Sequence, residues 1–236
     1  MGLILRVDVD KPFGNSNLIR KISSKIIEDF FPKPFIGTYK YLSHLINFLE
    51  YCNDNEVPGF IYHRVCTTPN KKVIDLLRKG GHKLGLHAEN TKSYETFIEE
   101  YTTLKNKVNN LPIDSFSKHG SGNIKLGKFH YPNYEPENYL IWSKKSGVNY
   151  YFGNDICQNE QDLDQNDGFF PNIFWIERDY RHPDFFELEK LINAAKKKDV
   201  VVLIHPCNYD STFDVKDDFK RLVNLAKNEG VEWKVY

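Results

Sequence analysis

The sequence predicts an α/β fold, a closed or nearly closed barrel of about seven parallel strands. Three observations predict it. Strand-length apolar runs alternate with amphipathic stretches about seven times, and parallel strands need such crossovers. Residues 200–204, Val-Val-Val-Leu-Ile, are apolar at every position, as befits a strand buried on both faces. The first strand leads into Lys11-Pro12-Phe13-Gly14 rather than a glycine-rich phosphate loop, which disfavours an open dinucleotide-binding sheet. A length of 236 residues suits one such barrel as a single domain, 1–236.

Each element has its own signal. Leu3–Val9 is a strand, with acids entering at every second place toward its end. Residues 40–53 place Leu42, Leu45, Ile46 and Leu49 at helical spacing. A strand over 57–63 follows, then a helix over 72–79 stopped by Gly80-Gly81. Residues 83–87 form the third strand, 93–109 a polar-faced helix, and 115–119 a short, weak strand. A helix over 135–146 leads to a strand over 148–152, and 172–177 is a strand with aromatic bulk. The helix predicted over 183–198 has Pro183 in its first turn, where a missing N–H costs nothing. Strand 199–205, helix 214–228 and a closing strand 231–236 complete the chain. Residues 11–39 and 153–170 read as excursions from the alternation.

Composition narrows the function. Apolar residues make up 40% of the chain, enough for a real core, and aromatic residues 14%. Lys plus Arg equals Asp plus Glu at 32 each, which argues against a nucleic-acid binder working through bulk charge. Residues 1–10 do not read as a secretory leader, and no apolar run approaches the roughly 20 residues of a membrane span. The expectation is a soluble cytoplasmic protein acting on a small molecule or glycan. Cys52, Cys66, Cys157 and Cys207 form no Cys-x-x-Cys pair and read as core residues of a reducing compartment.

Four short words carry the chemistry. In Arg6-Val7-Asp8-Val9-Asp10, strand parity aims Arg6 and both carboxylates at one face. Two acids together need a cation, a shared proton or the arginine. A metal would satisfy one and leave the other as a general base; the alternative is a pair of solvated acids capping the turn. His87 ends the third strand near the barrel mouth, where neutral imidazole is a common metal ligand. Glu89 is a second ligand or a loop anchor. His82 precedes that strand and reads as structural, at the opposite end. His119 follows the weak fourth strand and precedes Gly120-Ser121-Gly122; alone it reads as a surface or capping residue. Ser121 lacks a nucleophile elbow. His205 ends the most apolar strand. A polar group there reads as catalytic, with a hydrogen-bonded core histidine as the alternative.

Further groups near strand ends are Asp155, Glu177, Arg178, Asp179 and Arg181, where an acid or arginine can orient the base or bind substrate. Tyr131, Tyr134, Trp175 and Tyr209 are aromatics that stack on sugars or simply pack. His44, His63, His130 and His182 have no evident partner in the sequence.

In order and spacing, Asp8-Val9-Asp10, Gly81-His82-Lys83-Leu84-Gly85-Leu86-His87, His119-Gly120-Ser121 and Leu203-Ile204-His205-Pro206 resemble the polysaccharide deacetylase superfamily. The resemblance implies a distorted (β/α) barrel and a divalent metal, zinc above all. It implies Asp8 as base, Asp10 and His87 as metal ligands, and His205 as general acid. The implied reaction removes an acetyl group from an N-acetylated sugar or glycan precursor. Three departures stand out. A valine separates the aspartates. Thr91 occupies the place of the family's second metal-binding histidine, which leaves His119 as the expected third ligand and Glu89 as its competitor. The usual fourth-strand arginine is absent at Lys118-His119, so the orienting partner of the base is unassigned. Hydrolysis of another C–N bond, and a non-catalytic carbohydrate-binding barrel, are the alternative readings.

Overall fold

Alternation along the first strand sets the architecture. In β1 (Leu3–Val9) the odd residues Leu3, Leu5, Val7 and Val9 are all buried in the larger apolar cluster outside the barrel, while Ile4 belongs to the small cluster inside it. Arg6 and Asp8 share the inward face of Ile4. The computed structural model describes residues 1–10, 37–108, 111–121, 126, 129–159 and 168–236. Within them, β1, β2 (Gly59–His63), β3 (Lys83–Ala88), β4 (Ile113–Lys118), β5 (Tyr150–Ile156), β6 (Phe169–Trp175) and β7 (Val200–Ile204) form a closed barrel in sequence order. Every neighbouring pair is parallel, and β7 closes on β1 with Val7 opposite Ile204. This is the predicted fold class.

The helices that pack outside are α1 (Gly37–Asp54), α2 (Lys71–Lys79), α3 (Tyr94–Lys105), α4 (Pro136–Ser146), α5 (Leu188–Ala195), α6 (Pro206–Ser211) and α7 (Phe213–Asn228). Local chemistry sets their ends. The Asn70 side chain caps α2 by accepting from the Val73 N–H at 3.0 Å. Ser93 caps α3 in a reciprocal box with Thr96. Gly147 ends α4 in the left-handed region at φ 73°. No helix of the described residues is long and apolar enough to cross a membrane.

Inside the barrel the lower layers are filled, so the fold is a core with a mouth rather than a pore. Phe152 lies 5.0 Å from Phe60 and 4.6 Å from Phe170, ring centre to ring centre. Gly85 has a physical reason to be glycine. A Cβ there would sit 2.2 Å from the Tyr62 ring and 2.9 Å from Ser115 Oγ, so the bare backbone makes room for the interior tyrosine.

Several boundaries depart from expectation. The stretch 231–236 is not a strand: it makes a single bridge, Leu3 to Trp233, flanked by two backbone bonds of 2.8 Å. The helix expected over 183–198 is a 3₁₀ turn, Pro183–Phe185, followed by α5. Buried Phe185 packs edge-on against Phe174 at 5.9 Å and pins the chain between the two pieces. The excursion at 153–170 is in part strand, since β5 runs to Ile156 and β6 starts at Phe169. Residues 11–36 and 160–167 lie outside the described residues. Helix α6, with Pro206 at its first position, was not anticipated.

Candidate active site

The inward faces of the strands converge at the C-terminal end of the barrel. Parity delivers Arg6 and Asp8 from β1 with Asp10 just after it, Arg64 after β2, and His87 from β3 with Glu89 just after it. It also delivers His119 after β4, Asn154 from β5, Trp175 from β6 with Glu177 beyond it, and His205 after β7.

Asp8 is held by its own strand. Arg6 Nε donates to Oδ1 at 3.0 Å and Nη2 to Oδ2 at 2.7 Å, a bidentate pair. The same guanidinium donates to Gly153 O at 2.6 Å and Asn154 Oδ1 at 2.9 Å, which anchors it to β5. Burial pushes the Asp8 carboxyl up, but Arg6 and then His87 outweigh it and hold the carboxyl below its ordinary value. Arg6 therefore fixes the orientation of the Asp8 carboxylate.

Asp10, His87 and His119 form a second group. Their potential ligand atoms all lie within 4.8 Å of one another. His119 Nδ1 is 3.2 Å from Asp10 Oδ1 and 3.1 Å from His87 Nε2. His87 Nδ1 is tied to Ser117 Oγ at 2.8 Å, which turns its Nε2 to the site. Burial pushes the His119 imidazole down to about 4 against the pull of Asp10, so it stays neutral, as a ligand must. Asp8, Glu89 and Glu177 each hydrogen-bond a basic side chain. Asp10 Oδ1, by contrast, is buried without a hydrogen bond, an arrangement a cation satisfies. Two imidazoles and one such carboxylate fit a divalent metal.

Glu89 goes elsewhere. Its Oε1 accepts a short bond from buried Arg64 Nη2, and Cys66 Sγ approaches Oε2 at 3.9 Å. The following turn is fixed by Glu100, whose carboxyl accepts the N–H groups of Glu89 at 2.8 Å and Asn90 at 3.1 Å. Thr91 is fully buried, with its hydroxyl 3.1 Å from the Tyr139 hydroxyl.

His205 faces the group from the far side of Asp10, with Nε2 3.7 Å from Oδ2. Glu177 Oε1 accepts its Nδ1–H at 3.0 Å, its backbone N–H at 3.1 Å and the Asn208 amide at 3.0 Å. Burial alone lowers the imidazole, but Glu177 overcomes it and raises His205 to about 9. The ring stacks on Trp175 with centres 5.6 Å apart.

No family model and no curated protein matches the chain. Solved structures do. A protein of Parabacteroides distasonis described as a glycoside hydrolase/deacetylase aligns with a TM-score of 0.53 at 7% identity, covering 97% of this chain and 68% of that one. A polysaccharide deacetylase of Bacillus cereus aligns at 0.49 and 13% identity, covering 100% and 91%. A family 4 carbohydrate esterase of Streptomyces lividans gives 0.46 and 11%, covering 97% and 90%. The barrel shares its fold with the Parabacteroides distasonis protein.

On this fold the site opens into a cleft of about 450 Å³ lined by Asp8, Asp10, His87, His119 and His205, with Asn154, Trp175, Tyr180, Leu203 and Asn208 around them. Lys118, another lining residue, secures the His119 turn. Its buried Nζ donates to the carbonyls of His119 at 2.8 Å, Gly120 at 3.0 Å and Tyr131 at 2.7 Å. His130 Nε2 lies 2.8 Å from the same His119 carbonyl. Gly120, at φ 62°, makes the turn in the left-handed region that suits glycine. Gly122 lies outside the described residues.

Besides Glu89, two expected site residues are not in the cleft. Asp155 alternates with Asn154 and points outward, exposed. Arg178 pairs with Asp218 of α7 at 2.7 and 2.9 Å, and buried Asp218 also takes Arg181 at 2.7 Å. Both arginines thus clamp a helix. Arg178→Ala is expected to leave turnover unchanged. Asp218→Ala, which strips two guanidinia of their acceptor, is expected to cost about 2–3 kcal/mol, read by urea unfolding. Of the four aromatics singled out in the sequence, Trp175 alone lines the cleft. Tyr134 bonds the Asn154 N–H at 3.0 Å, and Tyr209 packs edge-on against Phe48 at 5.0 Å.

Three further histidines make contacts outside the site. His82, at the opposite barrel end as expected, accepts the Gly59 N–H at 3.1 Å and meets Asn53 Oδ1 at 2.8 Å. His44 pairs with Asp210 at 2.6 Å. His63 Nδ1 meets Thr67 O at 2.6 Å. Arg64 and Lys118 are the functional candidates that sequence reasoning missed. Parity after β2 was the available signal for Arg64; Lys118 had been noted only as the place of a missing arginine.

Proposed function

We propose that the protein is a metal-dependent amide hydrolase that removes the acetyl group from an N-acetylated sugar or glycan precursor. One observation carries the reading. Asp8, held as an anion by Arg6, and His205, held as a cation by Glu177, flank the Asp10–His87–His119 group inside one cleft. A base and an acid kept in opposite charge states on either side of a candidate metal centre are what amide hydrolysis needs.

Asp10, His87 and His119 would hold the ion, and their N₂O donor set suits zinc. A bound ion supplies Lewis acidity toward water and the amide carbonyl. Asp8 takes the proton of the attacking water, with Arg6 fixing the direction of its lone pairs. His205 gives its proton to the departing nitrogen as the C–N bond breaks. The products are a free amine and acetate. Trp175 and Leu203 give the cleft an apolar wall that accepts a methyl group or a sugar face, and Asn154 and Asn208 add polar edges.

The test is elemental analysis followed by acetate release from N-acetylated sugars. Zinc near one equivalent, and loss of release on chelation with recovery on adding metal, are expected. Full turnover by the chelated protein would overturn the metal role, and a product other than acetate would reassign the bond.

A further inference from the structure

The reaction just outlined leaves the Arg64–Glu89 pair unused. Glu89 lies two residues past His87, so strand parity aims it at the same mouth. A carboxylate carried to that mouth is a candidate fourth ligand, and four protein ligands make a closed, structural site; catalytic sites keep one position open. Arg64, with its side chain fully buried, stands between the two acids. Its Nη2 bonds Glu89 Oε1, while Nη1 lies 3.7 Å from Asp10 Oδ1. Cys66 approaches the other Glu89 oxygen at 3.9 Å, and the Glu100 bonds at 2.8 and 3.1 Å fix the turn that carries Glu89. Each oxygen of Glu89 thereby has a partner outside the three-residue group, whereas Asp10 Oδ1 makes no hydrogen bond.

We propose that Arg64 is a positioning residue that holds Glu89 off the metal and so keeps the fourth coordination position open for water and substrate. The inference rests on the metal reading above. It assigns opposite consequences to the two halves of the pair. Without Arg64, the Glu89 carboxylate is released and enters the coordination sphere. Without the Glu89 charge, Arg64 turns its full charge on Asp10 and competes with the metal for that carboxylate.

The experiment is cobalt(II) titration of the metal-free wild type, Arg64→Met, Glu89→Gln and the double variant, followed by visible absorption and thermal melting. The wild type is expected to bind one equivalent. Arg64→Met binds more tightly, by about 10–100-fold, the scale of outer-shell effects. Its ligand-field spectrum shifts, cobalt raises its melting temperature more than it raises that of the wild type, and it loses hydrolysis. Glu89→Gln binds more weakly by a similar factor but keeps the shape of the wild-type spectrum, and the double variant returns toward wild-type affinity. A changed spectrum in Glu89→Gln would make Glu89 itself a ligand and overturn the proposal, as would wild-type affinity and spectrum in Arg64→Met. If Arg64→Met does not fold, Glu89→Gln decides: undiminished affinity overturns the proposal, and weaker binding with an unaltered spectrum upholds it. Absence of cobalt binding in the wild type would instead remove the metal reading, and this inference with it.

Discussion

Asp8→Asn is expected to lower kcat by about 10²–10⁴-fold, the range of a general base, with KM and metal content little changed. The asparagine amide keeps the shape of the carboxylate but cannot take a proton from water. Because Asp8 belongs to the base and not to the Asp10–His87–His119 group, zinc should still be found at the wild-type level. The substitution also leaves Arg6, which is buried, without its anionic partner. An uncompensated buried charge costs about 3–5 kcal/mol, so the melting temperature is expected to fall as well. Saturating-substrate kinetics on protein shown by circular dichroism to be folded separates the two effects. Wild-type kcat in the folded variant would remove Asp8 from the chemistry.

His119→Ala is expected to abolish both metal retention and turnover. Two ligands remain, and the loss of affinity should exceed the roughly 10–100-fold that follows removal of an outer-shell partner. The measurement is isothermal titration with zinc alongside acetate release. Adding Thr91→His to His119→Ala is expected not to restore either. Thr91 is fully buried with its hydroxyl against Tyr139 at 3.1 Å, so an imidazole there meets packed protein before it meets the site. Rescue by Thr91→His would show that the site also accepts a ligand four residues after His87.

How much of this was legible in the sequence depends on the range of the interaction. Period-two alternation is local, and it correctly grouped Arg6, Asp8 and Asp10 and placed His87 and His205 at the same barrel end. The same rule, carried past β5 and β6, would have separated inward Asn154 and Glu177 from outward Asp155 and Arg178; nearness to a strand end was given too much weight over phase. Pairings between distant segments were out of reach. Nothing local indicates that Glu89 meets Arg64 or that Glu177 holds His205. Both depend on which strands the barrel sets side by side. The closing stretch 231–236 failed for a related reason. Its alternation resembles a strand, but the barrel was already complete without it.

The β1–β7 seam joins the first strand of the chain to the last, with consequences for the timing of synthesis. Asp8 and Asp10 emerge from the ribosome well before His205 and the strand that pairs with theirs. The bonds of residues 232 and 234 to Leu3 and the bridge to Trp233 come later still. A nascent chain therefore carries two acids and a long run of strands with no means of closing the barrel, and such high-contact-order pairing is slow. Closure must wait until β7 has emerged, and until then the unpaired edges of β1 and of the growing sheet are open to aggregation.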